Sequence, residues 1–278
     1  MGINTFSYSK ISTYKTCPQR YKINYINKIN KSHESIEAFM GKRVHEVLEW
    51  LYNEREHIGS FCAVDHLLDK YNEFWNGKWH QNIYLARQQF SIIKKKNKKF
   101  RSYISLDRNK QIYKDIGSKC LVNYYKRYIK NFNKNILGVE IKCSVKINGI
   151  KFNCIIDRLD EEEKGKYIIY DYKTGKKPIS NSKAKTDLQL SLYHMAVAQN
   201  FKNYKEIILK WYYLRSDRIV TIKHTKDKIS KLENKIIQQI EKIKNDKYYY
   251  AKKSLLCDWC YFWEECEVMS IKNPAKKL

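Results

Sequence analysis

Two strand-like stretches carry the residues best placed to do chemistry. In IIYDYKTGKKP (168–178), Asp171 and Lys173 are two positions apart, so a strand would point both to the same side. Asp157 lies near the end of the preceding run, IKFNCIIDRLD (150–160), and antiparallel pairing would bring it beside Asp171. Two carboxylates converging at a sheet edge repel each other. A divalent cation removes that repulsion, and hard oxygen ligands suit Mg²⁺ or Mn²⁺. Such an ion polarises a phosphodiester and lowers the pKa of a bound water. Lys173 can then hold the water or a phosphate oxygen and offset charge in the transition state. Taken alone, an Asp-x-Lys pair on a strand is commonly a surface ion pair worth little, and Asp157 beside Arg158 can be another.

A second constellation is made of thiols. CDWCYFWEEC (257–266) spaces Cys257, Cys260 and Cys266 as C-x2-C-x5-C, three corners of a tetrahedral metal site. The isolated Cys17, in CPQRY (17–21), is the natural fourth. Four thiolates suit an iron–sulfur cluster and also structural zinc, and plain buried thiols are the third reading. A tie from Cys17 to the C-terminal segment closes a very long loop and restricts the unfolded ensemble. Cys62, Cys120, Cys143 and Cys154 show no ligand spacing and read as core residues.

The elements that must position these groups follow from periodicity. Residues 9–29 read as a helix capped by Ser9 or Ser12, and 38–57 as a second, with Phe39, Val44, Leu48 and Leu51 in register. Residues 61–76 and parts of 84–133 also read as helical, the latter interrupted at Gly117. From about 136 the pattern alternates with β-branched residues. Strands are expected at 136–147 and 150–160, joined by the hairpin turn Asn148-Gly149, and at 166–174. A helix over 183–200 follows, then strands 205–214 and 218–224 joined at Ser216-Asp217, then an amphipathic helix over 226–247. This order describes an α/β sandwich with a mixed sheet, in one domain over 1–278. Its parts are a mainly helical region (1–135), a catalytic sheet core (136–225), and a C-terminal helix with the cysteine cluster (226–278).

Composition narrows the partners. The 278 residues include 55 basic and 29 acidic ones, a net charge of +26. Nucleic acid is the obvious counterpart, since basic residues displace its condensed counterions. Lysine outnumbers arginine 45 to 10, a usage that an AT-rich genome also produces. The densest basic run, KKKNKKFR (94–101), could track phosphates with Phe100 and Tyr103 beside it for stacking; a solvated helix face explains it equally well. The 23 tyrosines offer further stacking platforms, although most aromatics pack in cores. No apolar run is long enough to span a membrane, and the N-terminus lacks a signal core, so a cytoplasmic protein is expected. There is no G-x-x-x-x-G-K-[ST], hence no expected ATP hydrolysis.

With these residues in order, the chain resembles the PD-(D/E)XK nucleases, in particular the RecB-like branch that includes helicase-associated and CRISPR-associated exonucleases. Ile156-Asp157 matches the branch's I-D strand, and Asp171-Tyr172-Lys173 its (D/E)-x-K strand. The branch often has Gly three positions before the first Asp, where this chain has Cys154. GKRVHEVLE (41–49) is similar to the G-x-x-x-H helix, which implies His45 as a metal ligand or water organiser, with Glu49 a neighbour one turn on. LQLSLY (188–193) is similar to the Q-x-x-x-Y motif and implies that Gln189 and Tyr193 hold the DNA strand. Glu140 is a lesser candidate for the acidic site. C-P-x-x-Y at Cys17 implies that Cys17, Cys257, Cys260 and Cys266 bind a [4Fe–4S] cluster, with Zn²⁺ as the alternative. The resemblance implies a restriction-endonuclease-like mixed central sheet flanked by helices. It further implies a metal-dependent exonuclease acting on single-stranded or unwound DNA, with His45, Asp157 and Asp171 on Mg²⁺ or Mn²⁺. The rival reading is a non-catalytic iron–sulfur DNA-binding subunit of a helicase–nuclease or CRISPR adaptation complex. A third reading is a subunit active only beside a partner, a helicase or a CRISPR adaptation protein such as the integrase.

Overall fold

The turn at Asn148-Gly149 sets the register of the central sheet. Both residues are left-handed, with φ of 46° and 76°, as a two-residue hairpin turn requires. A computed structural model of the chain describes residues 5–54, 63–86, 106–128, 135–269 and 275–277. The basic run at 94–101, Tyr103 and Cys62 lie outside these residues.

Strands β4 (Ile136–Ile147) and β5 (Ile150–Glu163) pair antiparallel from Ile147↔Ile150 outward. β5 pairs antiparallel with β6 (Lys166–Lys173), completing the expected meander. β6 then lies parallel to β7 (Glu206–Tyr213), and β7 antiparallel to β8 (Arg218–Lys223). A short strand not anticipated from sequence, β1 (Thr5–Phe6), joins parallel to the start of β5. The result is a mixed six-stranded sheet with helices on both faces, the expected fold class.

One face carries α1 (Tyr8–Thr16), α2 (Pro18–Tyr21), α7 (Leu188–Asn200) and α8 (Lys226–Asn245) over a core that includes Ile11, Phe152, Leu190, Trp211 and Ile236. The other carries α3 (Ile36–Asn53), α4 (Val64–Gly77) and α5 (Leu106–Tyr128) over Phe39, Leu48, Trp75, Tyr124 and Tyr212. β6 is sandwiched between them. Tyr167 and Ile169 enter the first core, while Ile168, Tyr170 and Tyr172 enter the second. This alternation puts Asp171 and Lys173 on the α7 side with Tyr172 opposite, as the spacing predicts.

Several boundaries differ from expectation for identifiable reasons. The helix expected over 9–29 breaks at Cys17, whose backbone is extended (φ −159°, ψ 112°) because the residue before a proline avoids helical geometry. Its cap is Ser7, which accepts from Lys10 N. The helix expected over 183–200 divides into α6 (Asn181–Ala184) and α7, and Asp187 caps the latter by accepting from Leu190 N. Residues 83–86 are not helical: β3 (Ile83–Ala86) forms a second sheet between β2 (Glu34–Ser35) and β9 (Ala275–Lys277).

Nor does Gly117 interrupt a helix. α5 runs straight through it, and a Cβ there would lie 1.9 Å from the hydroxyl of buried Tyr71. The glycine is a close-approach point between α4 and α5. Gly117→Ala is expected to destabilise the protein by about 1–3 kcal/mol through overpacking, read as an earlier urea midpoint with an unchanged slope.

Candidate active site

β5 and β6 part company at the catalytic candidates. Their ladder runs through Arg158↔Tyr170 and stops there, although Asp157 and Asp171 are the next residues in line. In place of a main-chain partner, Tyr172 N donates to Asp157 Oδ2 at 2.5 Å. The carboxylate thus bridges the fork between the strands. β6 stays paired with β7 as far as Lys173↔Tyr213, so Asp171 and Lys173 stand on a strand anchored along one edge.

A third carboxylate comes from β4. The β4–β5 ladder pairs Val139 with Arg158 and Ile141 with Ile156, leaving Glu140 and Asp157 facing across the gap. Glu140 has φ +47°, a conformation costly to a residue with a Cβ and persistent only where surroundings enforce it.

His45 arrives from α3. Gly41, one helical turn earlier on the same face, is what lets the helix come close: a Cβ there would lie 3.3 Å from Thr174 Oγ1, at the end of β6. His45 Nε2 is 3.2 Å from Tyr172 O, which only accepts, so Nε2 carries the proton. Nδ1 is thereby turned to Glu140 Oε1 and Asp157 Oδ1, each 3.6 Å away. A histidine that donates one ring N–H to a backbone carbonyl and offers the other nitrogen is oriented for metal ligation. Ligand atoms of His45, Glu140 and Asp157 all lie within 4.8 Å of one another, the only such trio of His, Cys, Asp or Glu among the described residues.

Asp171 stands beside this trio rather than in it. It is 1% exposed, and Lys173 Nζ is 2.6 Å from its Oδ2. Lys173 Nζ also donates to Gln189 Oε1 at 3.1 Å, and Gln189 Nε2 donates to Tyr193 OH at 3.0 Å. The predicted Gln189 and Tyr193 therefore meet the acid–lysine pair through one hydrogen-bonded chain. Tyr193 is 6% exposed, which leaves its ring no free face for a base. Its hydroxyl accepts from Gln189 and fixes that amide.

The electrostatics are those of crowded acids. Burial raises the pKa of Asp157 against the opposing charge of His45. Burial also pushes Asp171 up to about 7 despite Lys173, with Asp157 adding to the rise. At His45 burial disfavours the charged ring, but Asp157 and Glu140 outweigh it and raise its pKa to about 9. Without a cation, protons supply the positive charge this cluster demands.

Arg158 is no surface partner of Asp157. It is 3% exposed and turned to the opposite core, where Nε and Nη2 donate to the two oxygens of Asp160 at 2.7 Å each. Its Nη1 donates to Tyr52 OH at 2.7 Å and Tyr124 OH at 3.0 Å.

The four predicted cysteines line one cavity between the α1–α2 junction and the C-terminal segment. Lys252 N donates to Cys17 Sγ and Ser254 N to Cys257 Sγ, both at 3.4 Å. Since the trio at His45 stands alone at 4.8 Å, no three of the thiols are drawn that close. A single tetrahedral zinc holds its sulfurs only about 3.8 Å apart, from a Zn–S bond of about 2.3 Å. Of the cysteines read as core, Cys120 and Cys154 are buried, and Cys143 is half-buried directly across the ladder from Cys154.

A forked mixed sheet presenting acids, a lysine and a histidine is the arrangement of a metal-dependent nuclease. A family model of the PD-(D/E)XK nuclease superfamily matches residues 5–267, and the chain belongs to that superfamily. Its members use divalent metal ions, and a nuclease acts on DNA. Two solved structures are similar. One is the "Putative exonuclease" of Eubacterium rectale, at 13% identity and a TM-score of 0.47, covering 92% of this chain and 86% of that one. The other is SSO0001, at 13% identity and a TM-score of 0.36, covering 84% and 96%. No curated protein matches the chain. No helix among the described residues is long and apolar enough to cross a membrane.

Proposed function

We propose that the chain is an exonuclease acting on single-stranded or unwound DNA ends. His45, Glu140 and Asp157, with Asp171 adjoining, would hold Mg²⁺ or Mn²⁺. The carrying observation is the meeting of His45 Nδ1 with two carboxylates beside the Asp171–Lys173 pair. When bound, the cation polarises the scissile phosphate and eases ionisation of the attacking water. Lys173, steadied by Asp171 and Gln189, orients that water and neutralises charge gathering on the phosphate. Tyr193 keeps the Gln189 amide turned with its oxygen toward the ammonium. Asp157 and the Tyr172 backbone hold the fork open.

Digestion of 5′- and 3′-end-labelled single-stranded DNA with Mn²⁺ tests this reading. Mononucleotide release from one end is expected. Undegraded DNA that is nevertheless bound would support a non-catalytic DNA-binding subunit instead.

Cation and protons compete for the same groups. The raised pKa of Asp171 means the cation-free protein loses stability as pH climbs from the ordinary carboxylate range through about 7. His45 adds a second loss as pH passes through about 9. Mn²⁺ is therefore expected to raise Tm more at pH 8 than at pH 5, with protons released on binding. An equal shift at both values would contradict the ligand assignment.

The same reading assigns Cys17, Cys257, Cys260 and Cys266 to a [4Fe–4S] cluster, supported by the four thiols lining one cavity. Bound, the cluster would tie the two ends of the chain together. Cys17→Ser is expected to lower the iron content and reduce Tm by roughly 5–10 °C. Full iron at an unchanged Tm would exclude Cys17 as a ligand.

A further inference from the structure

Among the described tyrosines only Tyr248 and Tyr250 are exposed, at 66% and 73%. Their rings face one another nearly parallel, with centroids 5.3 Å apart and planes 13° from coplanar. The backbone is built to hold them there. Between them Tyr249 has φ +53°, a conformation unfavourable for a bulky residue. Asp246 fixes that turn: its Oδ1 accepts from Tyr248 N at 3.0 Å and Tyr249 N at 2.9 Å, and its Oδ2 accepts from Tyr14 OH at 2.6 Å. Tyr249 consequently points inward, stacked on Tyr21, and donates to Ile243 O, while both flanking rings project outward. A sequence that buries or half-buries its other described tyrosines bears a backbone cost to display these two.

The surroundings are cationic. Lys244, Lys247, Lys252 and Lys253 are exposed, and none has an ion-pair partner among the described residues. Flat aromatic faces flanked by unpaired lysines match a strand with unstacked bases and an anionic backbone. A duplex offers its phosphates but keeps its base faces stacked. The patch is tied through Asp246 and Tyr14 to α1, the helix that begins at Tyr8. Tyr8, at the start of α1, is within electrostatic reach of Asp171, Lys173 and Asp187. Tyr14, which holds Asp246, is six residues or about 9 Å farther along the same helix.

We propose that Tyr248 and Tyr250 form a stacking platform for the bases of single-stranded DNA, with Lys244, Lys247, Lys252 and Lys253 engaging its phosphates. The proposal rests on the nuclease reading and deepens it by naming where the strand is held. The 5.3 Å ring spacing is narrower than the roughly 6.8 Å that an inserted base needs, twice the 3.4 Å stacking step. Bases therefore stack on the outer faces of the pair.

The test is fluorescence-anisotropy binding in EDTA, which prevents cleavage, with oligothymidylate and with an abasic strand of equal length as probes. Wild type should bind oligothymidylate more tightly than the abasic strand. Tyr248→Ala/Tyr250→Ala should weaken oligothymidylate binding ten-fold or more and leave abasic binding unchanged. Tyr248→Phe/Tyr250→Phe, which keeps the flat faces, should bind as wild type does. Lys252→Ala/Lys253→Ala should weaken both probes equally and flatten the salt dependence. Alanine variants that bind both probes like wild type would overturn the platform while leaving the nuclease reading intact. Wild type that discriminates between the probes yet cuts no DNA with Mn²⁺ would sink the nuclease reading and leave the platform standing.

Discussion

Replacing Lys173 with alanine is expected to lower DNA cleavage by roughly 10²- to 10³-fold, the usual cost of losing one preorganised group that stabilises transition-state charge. The ammonium is held from two sides, by Asp171 at 2.6 Å and Gln189 at 3.1 Å, so it needs no reorganisation when charge develops. Gln189, the other side chain that holds the ammonium, is neutral and cannot take over its charge. The substitution also leaves Asp171 buried without its counter-charge, which raises that carboxyl further and weakens cation binding at neutral pH. Measured cleavage should therefore recover partly at high pH and high Mn²⁺, but not fully. Gln189→Ala acts only through the positioning of Lys173, so a loss of roughly 10-fold is the corresponding expectation. A Lys173→Ala protein that cuts as fast as wild type under all metal concentrations would remove lysine from the mechanism.

The largest effect on stability is expected at Arg158. Arg158→Met leaves the carboxylate of Asp160 buried at 5% exposure without its partner, and breaking a buried pair in this way costs roughly 3–5 kcal/mol. The guanidinium also lies over the rings of Tyr52, Tyr128 and Tyr170, with centroids at 5.2, 4.8 and 4.9 Å. Through the hydroxyls of Tyr52 and Tyr124 it reaches Tyr172, whose carbonyl receives His45. The expected readout is a fall in Tm of the order of 10 °C. Arg158→Met/Asp160→Leu should recover much of it, because removing both charges leaves none unpaired. A single variant as stable as wild type would mean that Asp160 finds water or another donor.

Much of the site could be read from residue spacing, and the exceptions have physical causes. Asn148-Gly149 pairs 147 with 150, so counting outward alone sets 140 opposite 157. Sequence alone still leaves Glu140 the lesser candidate, because its approach to His45 depends on a left-handed backbone that no local pattern reveals. Arg158 read as a surface charge because strand charges usually are. What buries it is the convergence of tyrosines from α3, α5 and β6, which are distant in sequence. The strand at 83–86 is a short apolar run, ambiguous between helix and strand until its partners are known. The break at Cys17 follows from Pro18, which keeps the residue before it out of helical geometry. By contrast, the alternation through 166–173 was enough to put Asp171 and Lys173 on one face.

The most direct test is an anomalous-scattering difference map from crystals of the protein soaked in Mn²⁺. The proposed site predicts a strong peak within bonding distance of His45 Nδ1, Glu140 and Asp157, with Asp171 alongside, that disappears in Asp157→Asn. A peak bound elsewhere, with these side chains still gathered around protons alone, would contradict it.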